Sequence, residues 1–291
     1  MKQLVVLSGK GGTGKTTVAS SLIRLAKNKA VADCDVDAPN LHLVFQPKLL
    51  ASKPFYGYKI AVLNKDACTD CGKCYELCRF GAIKDGRVDP FACEGCGVCE
   101  AFCPAEDEQS RPAIRLVENR TGEVSVGRIG RELFSTAALE VGSGATGKLV
   151  SEVKKNSLDR LTAEELFIID GSPGIGCPVI ASIKGAHWVL VVAEPSESGL
   201  HDLVRIVQTA QGLGARCMVC VNKYDINPQL TERILAYSEQ EGVLSVGKIP
   251  FDPQVSQAIN SGKTIVDYPD SPAGQAVLAL WKEIEKAMGG D

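Results

Sequence analysis

The chain has 291 residues, 45% hydrophobic and 23% charged, with a formal net charge of -3, enough apolar material to bury a full core as one large domain plus a small insert. So small a net charge argues against a broad cationic surface for nucleic acid or anionic lipid. The longest apolar runs, such as Trp188 to Ala193, are too short to cross a bilayer, so no stable membrane insertion is expected.

Met1-Lys2 leads straight into an apolar run with no small-residue cleavage site, the pattern expected of a cytoplasmic protein. In such a reducing compartment twelve cysteines point to metal ligation over disulfides. Leu4 to Leu7 reads as a strand that ends in a glycine-rich turn. Lys15 to Ala26 then has helical spacing, with Val18, Leu22, Leu25 and Ala26 on one face. A second strand is predicted at Lys29 to Asp33.

From about Asn64 to Arg111 the strand–helix rhythm stops. Cys68-x-x-Cys71-Gly72-x-Cys74-x-x-x-Cys78 returns twenty-five residues later as Cys93-x-x-Cys96-Gly97-x-Cys99-x-x-x-Cys103. Such duplication implies a pseudo-symmetric module that folds around its metal. Beyond it, strands are predicted at Val124 to Ile129, Leu166 to Asp170, Trp188 to Glu194, Arg216 to Asn222 and Val243 to Ile249. Several are apolar on both faces, as buried parallel strands are. Helices are predicted at Leu200 to Gln211, Pro228 to Glu241 and Ala273 to Ala287. The expected fold is a doubly wound, mostly parallel α/β sheet in two parts, residues 1–63 and 112–291, interrupted by an inserted metal module at 64–111.

Gly9-Lys10-Gly11-Gly12-Thr13-Gly14-Lys15-Thr16 satisfies G-x-x-x-x-G-K-[ST] between a predicted strand and helix. Glycines there let backbone N–H groups curl around phosphate oxygens. Lys15 would bring charge to the outer phosphates, and Thr16 can ligate Mg²⁺.

The string Ser8 to Thr17 resembles the deviant Walker A loop of the MinD/ParA/Mrp superfamily of P-loop ATPases. Asp33-Cys34-Asp35-Val36-Asp37-Ala38-Pro39-Asn40-Leu41 is similar to the first switch of that superfamily, and Ile168 to Gly174 to its second. With the cysteine insert, the chain resembles the MinD-type subgroup that carries an inserted two-cluster ferredoxin domain. The resemblance implies a homodimer with ATP at its interface, in which Lys10 reaches the phosphates held by the partner subunit. It also implies that Asp35 orients the attacking water, and that Asp170, with Asp33 through water, holds the Mg²⁺ shell. Gly9 to Thr17 would cradle the phosphates. Asn222, at the end of a strand, matches the base-recognition position, and Ile249-Pro250-Phe251-Asp252 the base-edge loop, so Pro250 and Asp252 are candidate adenine contacts. Asn222-Lys223-Tyr224-Asp225 is also similar to the guanine-reading element of GTPases, which leaves GTP open.

The cysteine quartets carry the most specific signal. Bacterial ferredoxin spacing is C-x₂-C-x₂-C-x₃-C-P, with the fourth cysteine serving the other cluster. The second quartet matches through Pro104, whereas Arg79 follows Cys78. By that crossing rule one [4Fe–4S] cluster takes Cys68, Cys71, Cys74 and Cys103, and the other takes Cys93, Cys96, Cys99 and Cys78. Zinc competes, because C-x-x-C pairs also build tetrahedral sites.

Cys217 and Cys220 fall three apart on a predicted strand, hence on opposite faces, and are expected in the core with Cys34. Cys177 follows the second switch, where the nitrogenase iron protein of the same superfamily places a cluster ligand, but the chain offers no clear second ligand. Ser198 is expected to cap the helix near Leu200. His42, His187 and His201 stand in no ligand spacing. The C-terminal helix lacks the basic face of a membrane-targeting tail and is expected to dock on its own sheet.

Together these features point to an ATP-hydrolysing switch coupled to the two clusters. Its expected partner is a redox or metallocentre protein. The cargo could be electrons, the preferred reading because all eight ligands lie within the insert, or clusters delivered to an apoprotein. A spatial-positioning ATPase is the third reading, disfavoured by the near-neutral charge.

Overall fold

The computed structural model describes residues 1–160 and 166–289 and contains two compact units. Its strands are β1 (Lys2–Leu7), β2 (Lys29–Asp33), β3 (Lys48–Leu63), β4 (Ile83–Lys84), β5 (Arg87–Val88), β6 (Ile114–Ile129), β7 (Glu132–Leu139), β8 (Leu166–Asp170), β9 (Trp188–Ala193), β10 (Arg216–Asn222) and β11 (Leu244–Ile249). Its helices are α1 (Lys15–Leu25), α2 (Leu41–Phe45), α3 (Lys73–Leu77), α4 (Val98–Ala101), α5 (Thr146–Leu158), α6 (Cys177–Ile183), α7 (Glu197–Gly212), α8 (Pro228–Gln240), α9 (Gln254–Asn260) and α10 (Pro272–Gly289).

The larger unit comprises residues 1–53, 124–138 and the chain from Thr146 onward. Its sheet runs β11-β10-β9-β1-β8-β2-β7-β6-β3. Every neighbouring pair from β11 to β7 is parallel. β6 and β7 are joined by only Gly130 and Arg131, a connection that an antiparallel hairpin allows and a parallel crossover does not. All residues of β2 and β9 are buried, the signature of parallel strands covered on both faces. In the core, Val18 and Leu22 of α1 cluster with Leu4, Val31 and Ile168, and Val277, Leu280, Trp281 and Ile284 of α10 pack against the same cluster. The C-terminal helix thus docks on its own domain, as its sequence predicts. Truncating a fully buried side chain such as Ile168 to Ala should cost about 2–5 kcal/mol.

In register, Val6 pairs with Asp170 and Asp33 pairs with Asp170, so the carboxyl ends of β1, β8 and β2 lie side by side. The glycine-rich loop and the segments that follow β2 and β8 therefore issue from one edge of the sheet. β1 sits between β8 and β9, where successive crossovers lead away in opposite directions, and this is where open α/β sheets bind ligands.

The smaller unit comprises residues 54–123 and 139–145, wider than the 64–111 stretch marked by the cysteines, because β3 and β6 contribute residues to both units. The sequence duplication reappears as conformation. Gly72 and Gly97 occupy the same left-handed position (φ 75° and 78°) before the one-turn helices α3 and α4, which carry Cys74 and Cys99. Only glycine adopts that backbone without strain. The apolar core here groups Ala61, Ile83, Cys99 and Ile114 with half-buried Cys74, Cys78, Cys93 and Cys103. Much of what this unit buries is therefore thiol.

Candidate functional site

The glycine-rich loop joins β1 to α1. Gly14 has φ 93°, and a Cβ there would collide with the Asn222 amide, so this position is reserved for glycine by both backbone and neighbour. Asn222 Nδ2 donates to the Thr13 carbonyl at 2.7 Å, and Lys223 Nζ donates to the Gly12 carbonyl at 3.2 Å. The end of β10 thereby braces the loop from outside, a role additional to the base contact expected of Asn222.

Lys15 is buried and points at three carboxylates. Its ammonium lies 2.6 Å from Asp170 Oδ1 and 3.5 Å from Asp35 Oδ2. Burial alone would depress the lysine, but Asp170, Asp35 and Asp33 together hold it above its ordinary value. Asp170 Oδ2 is buried with no hydrogen-bond partner. A buried carboxylate oxygen left open calls for a cation or an ordered water, which fits the Mg²⁺ shell expected of Asp170 beside Thr16. Asp33 is fully buried and accepts the N–H groups of Asp35 and Leu41 at 3.2 and 3.0 Å. Burial, aided by the Asp170 charge, pushes its carboxyl up to about 7. Burial likewise raises Asp35, with Lys15 opposing.

The segments that follow β2 and β8 are stitched together. Cys34 N–H donates to the Asp170 carbonyl at 2.8 Å, and Ser172 Oγ donates back to the Cys34 carbonyl at 2.6 Å. Asp35 is thus placed by the backbone on which Ser172 holds its neighbour. Below the segment that follows β8, buried Lys154 donates to the carbonyls of Ala181, Ser182 and Lys184 and closes the C-terminal end of α6.

Lys10 extends away from Lys15. Its ammonium meets Glu194 at 2.5 Å and the Ser198 hydroxyl at 3.2 Å. The cap of α7 is Ser196, whose hydroxyl accepts the Gly199 N–H, so the expectation of Ser198 as cap is corrected by two residues. Ser198 sits inside the first turn, where its hydroxyl meets both Lys10 and the Ser196 hydroxyl.

A cavity of about 640 Å³ runs from the loop, past Lys15, Thr16, Thr17 and Asp35, to Asn222, Pro250 and Phe251. Asp252 lines it too. Its carboxylate, however, accepts Gln254 N–H, Ser271 Oγ–H and Ala273 N–H, and so ties the loop to the start of α10. Asp225 Oδ1 accepts the Phe251 N–H at 2.8 Å, which ties the segment after β10 to the segment after β11.

In the smaller unit, one cavity of about 280 Å³ is lined by Cys68, Cys71, Cys74 and Cys103. A second, tighter one is lined by Cys78, Cys93, Cys96 and Cys99. Among the described residues, no three His, Cys, Asp or Glu side chains are placed to hold a metal ion. The thiols surround volumes instead of converging on a point, and the eight divide into the two crossed sets that the spacing suggests. Cys34, Cys217 and Cys220 are buried, whereas Cys177 is exposed at the start of α6. His187 is a satisfied histidine, its Nδ1 accepting the Gln3 N–H.

Sequence reasoning missed Glu194 and Ser198 as partners of Lys10, Ser172 as the tie between the segments after β2 and β8, and Lys154. Lys154 carries no sequence signal, since its three acceptors come from a helix 27–30 residues away. The proximity of Ser198 to Lys10 was equally invisible.

The family model of the CobQ/CobB/MinD/ParA nucleotide binding domain matches residues 4–265. An uncharacterized protein of Methanocaldococcus jannaschii is 31% identical over 287 residues, covering 98% of this chain and 96% of its own. A protein of Pyrococcus abyssi named iron-sulfur cluster carrier protein is 27% identical over 312 residues, covering 99% of this chain and 88% of its own. Among solved structures, the septum site-determining protein MinD of Pyrococcus horikoshii with Mg-ADP superposes with a TM-score of 0.58 at 19% identity, covering 99% of this chain and 97% of that one.

Proposed function

The chain belongs to the CobQ/CobB/MinD/ParA nucleotide-binding family, and from that premise we propose that it is an ATP-hydrolysing dimeric switch that holds two [4Fe–4S] clusters and hands iron–sulfur cargo to an apoprotein. The observation that carries this reading is the division of eight cysteines into two four-thiol cages. A structural zinc site would need four ligands converging at about 2.3 Å from one point, and no such convergence is present among the described residues.

The donor sets fit their groups. The 640 Å³ cavity begins at backbone N–H groups and Lys15, suited to phosphates, and ends at Pro250 and Phe251, suited to a flat base. ATP is favoured over GTP because Asp225, the position that would read guanine, spends Oδ1 on the Phe251 amide. Thr16 and the open Asp170 Oδ2 are the candidate Mg²⁺ ligands, with Asp33 holding the first switch by its backbone. A bound Mg²⁺ would neutralise charge on the phosphates. Asp35, raised by burial, is suited to orient a water, Lys15 to steady the outer phosphates, and Lys10 to leave Glu194 for the nucleotide of a partner subunit. Residues 36–53 join Asp35 to the cysteine unit along the chain.

Cluster delivery is preferred to electron donation because the P. abyssi relative, aligned over nearly the whole chain, is named a cluster carrier. Electron transfer is the second reading, favoured by the complete ligand set that each cage already contains. Anaerobic loading followed by mixing with an apo-[4Fe–4S] acceptor separates them. Iron and the cluster's electron paramagnetic signal should pass to the acceptor; clusters that stay put while cycling electrons would support the second reading.

A further inference from the structure

We infer that the two cages are unequal in use: the site of Cys68, Cys71, Cys74 and Cys103 holds the exchangeable cluster, and the site of Cys78, Cys93, Cys96 and Cys99 holds a resident one. This rests on the proposed carrier function and deepens it, by assigning the cargo to one of two sites that the sequence duplication makes look alike.

The two sites differ in their walls. The first is the roomier, with Leu63, Ile83 and Ile114 at its wall and exposed polar residues at its rim. Cys71 is exposed, and the other three thiols are half-buried, with none sealed in the core. Asp70, Lys73, Lys84 and Asp85 stand exposed around it, as does Tyr75. The second site is tighter and walled by Ala61, Ala82 and Leu116; its Cys96 is exposed as Cys71 is, but its Cys99 is buried, and Ile83 lines both sites. Cys93 Sγ accepts the Ala61 N–H at 3.3 Å, a bond that ties this ligand to β3. In the first site the matching backbone donor comes from the exposed loop itself, Asp70 N–H to Cys68 Sγ at 3.4 Å. One cage is anchored to a strand and the other to a loop.

Transfer of a cluster is ligand exchange. An incoming acceptor thiolate must reach an iron, form a new Fe–S bond and displace a donor cysteine. Four such exchanges move the core with its oxidation state unchanged, and the four protons shed by the acceptor thiols pass to the released donor thiolates. Associative exchange depends on access. The roomier first site admits a thiolate past half-buried ligands, whereas the close packing around buried Cys99 leaves the second site approachable only from the Cys96 side. Exposed charges of both signs beside Cys71 would orient an acceptor without fixing it.

The test uses the full chain loaded anaerobically with both clusters and challenged with a ferrous chelator, then with an apo-[4Fe–4S] acceptor. Wild type should lose four irons quickly and four slowly, with rates at least about tenfold apart, and only the fast four should reach the acceptor. Cys71→Ser should retain four irons that leave only slowly and pass none on; Cys96→Ser should retain four that leave fast and are delivered. Loss of all eight irons in one phase, or a fast phase that survives Cys71→Ser, overturns the inference. A single-phase wild-type time course overturns the inference even where a ligand variant fails to fold, and either one of the two variants suffices to assign the fast site. Failure of the underlying function looks different: clusters with two distinct chelation rates but no delivery from either site would remove the carrier reading, and with it the cargo assignment.

Discussion

The Lys10 ammonium lies 2.5 Å from the Glu194 carboxylate and 3.2 Å from the Ser198 hydroxyl of its own chain. With Lys10 41% and Glu194 19% exposed, this is a surface ion pair, a class worth about 0–1 kcal/mol. It can hold the lysine between encounters and release it without a large barrier. Lys10→Ala should therefore leave nucleotide binding by the monomer intact while abolishing ATP-dependent dimerisation and lowering turnover by about 10²–10³-fold. Light scattering with and without ATP, beside a phosphate-release assay, checks this; unchanged hydrolysis in the variant would rule out a trans role for Lys10.

Lys15 pairs with Asp170 and Asp35, and the Asp33 charge acts on it as well. Lys15→Ala should abolish ATP binding and also destabilise the nucleotide-free fold by about 3–5 kcal/mol, the cost of stranding buried carboxylates. Denaturant titration measures the second effect independently of the first. Asp35→Ala should relieve part of that crowding yet trap the ATP-bound dimer, since the water would lose its orienting group.

Asp33 titrates near 7 in the folded protein, raised chiefly by burial, against about 4 in an unfolded chain. Between those values the folded state binds the extra proton, so the stability that Asp33 contributes is fully present below about pH 4 and is lost as pH rises toward 7. The nucleotide-free protein should accordingly melt at a lower temperature at pH 7.5 than at pH 5.5. Asp33→Asn should flatten that slope, and an unchanged slope would assign it to other groups.

Ser172 reaches Asp35 only through the backbone of Cys34. Ser172→Ala should lower kcat about tenfold while leaving the affinity for ATP unchanged, because one buried hydrogen bond is worth about 0.5–1.5 kcal/mol. Ser172→Thr, which keeps the hydroxyl, should recover most of the rate. Equal losses in both variants would indicate a packing role.

The β–α rhythm, the loop and the eight module cysteines were legible because each rests on local chemistry: buried strands are apolar on both faces, phosphate loops need glycine, and cubanes fix cysteine spacing. β3 was not legible. Its first six residues, Lys48 to Lys53, are all exposed, and Pro54 and Gly57 interrupt any alternation. α5 and α6 were missed as well, since the seven-residue α6 is too short for a helical period to show. At the site, Lys15 and Thr16 follow from the motif, whereas the partners of Lys10 and the Ser172–Cys34 tie depend on which strands the sheet brings side by side. Cys217 and Cys220 show the converse: a local C-x-x-C pattern whose thiols are both buried in the core, so replacing either should leave the iron content unchanged.

In the proposed function, nucleotide state governs what leaves the cysteine cages. Its most direct test is the rate of iron transfer from fully loaded protein to an apo-[4Fe–4S] acceptor, measured nucleotide-free, with ADP and with a non-hydrolysable ATP analogue. Distinct rates in the three states, with the differences lost in Lys15→Ala, are the predicted result; one rate throughout would contradict it.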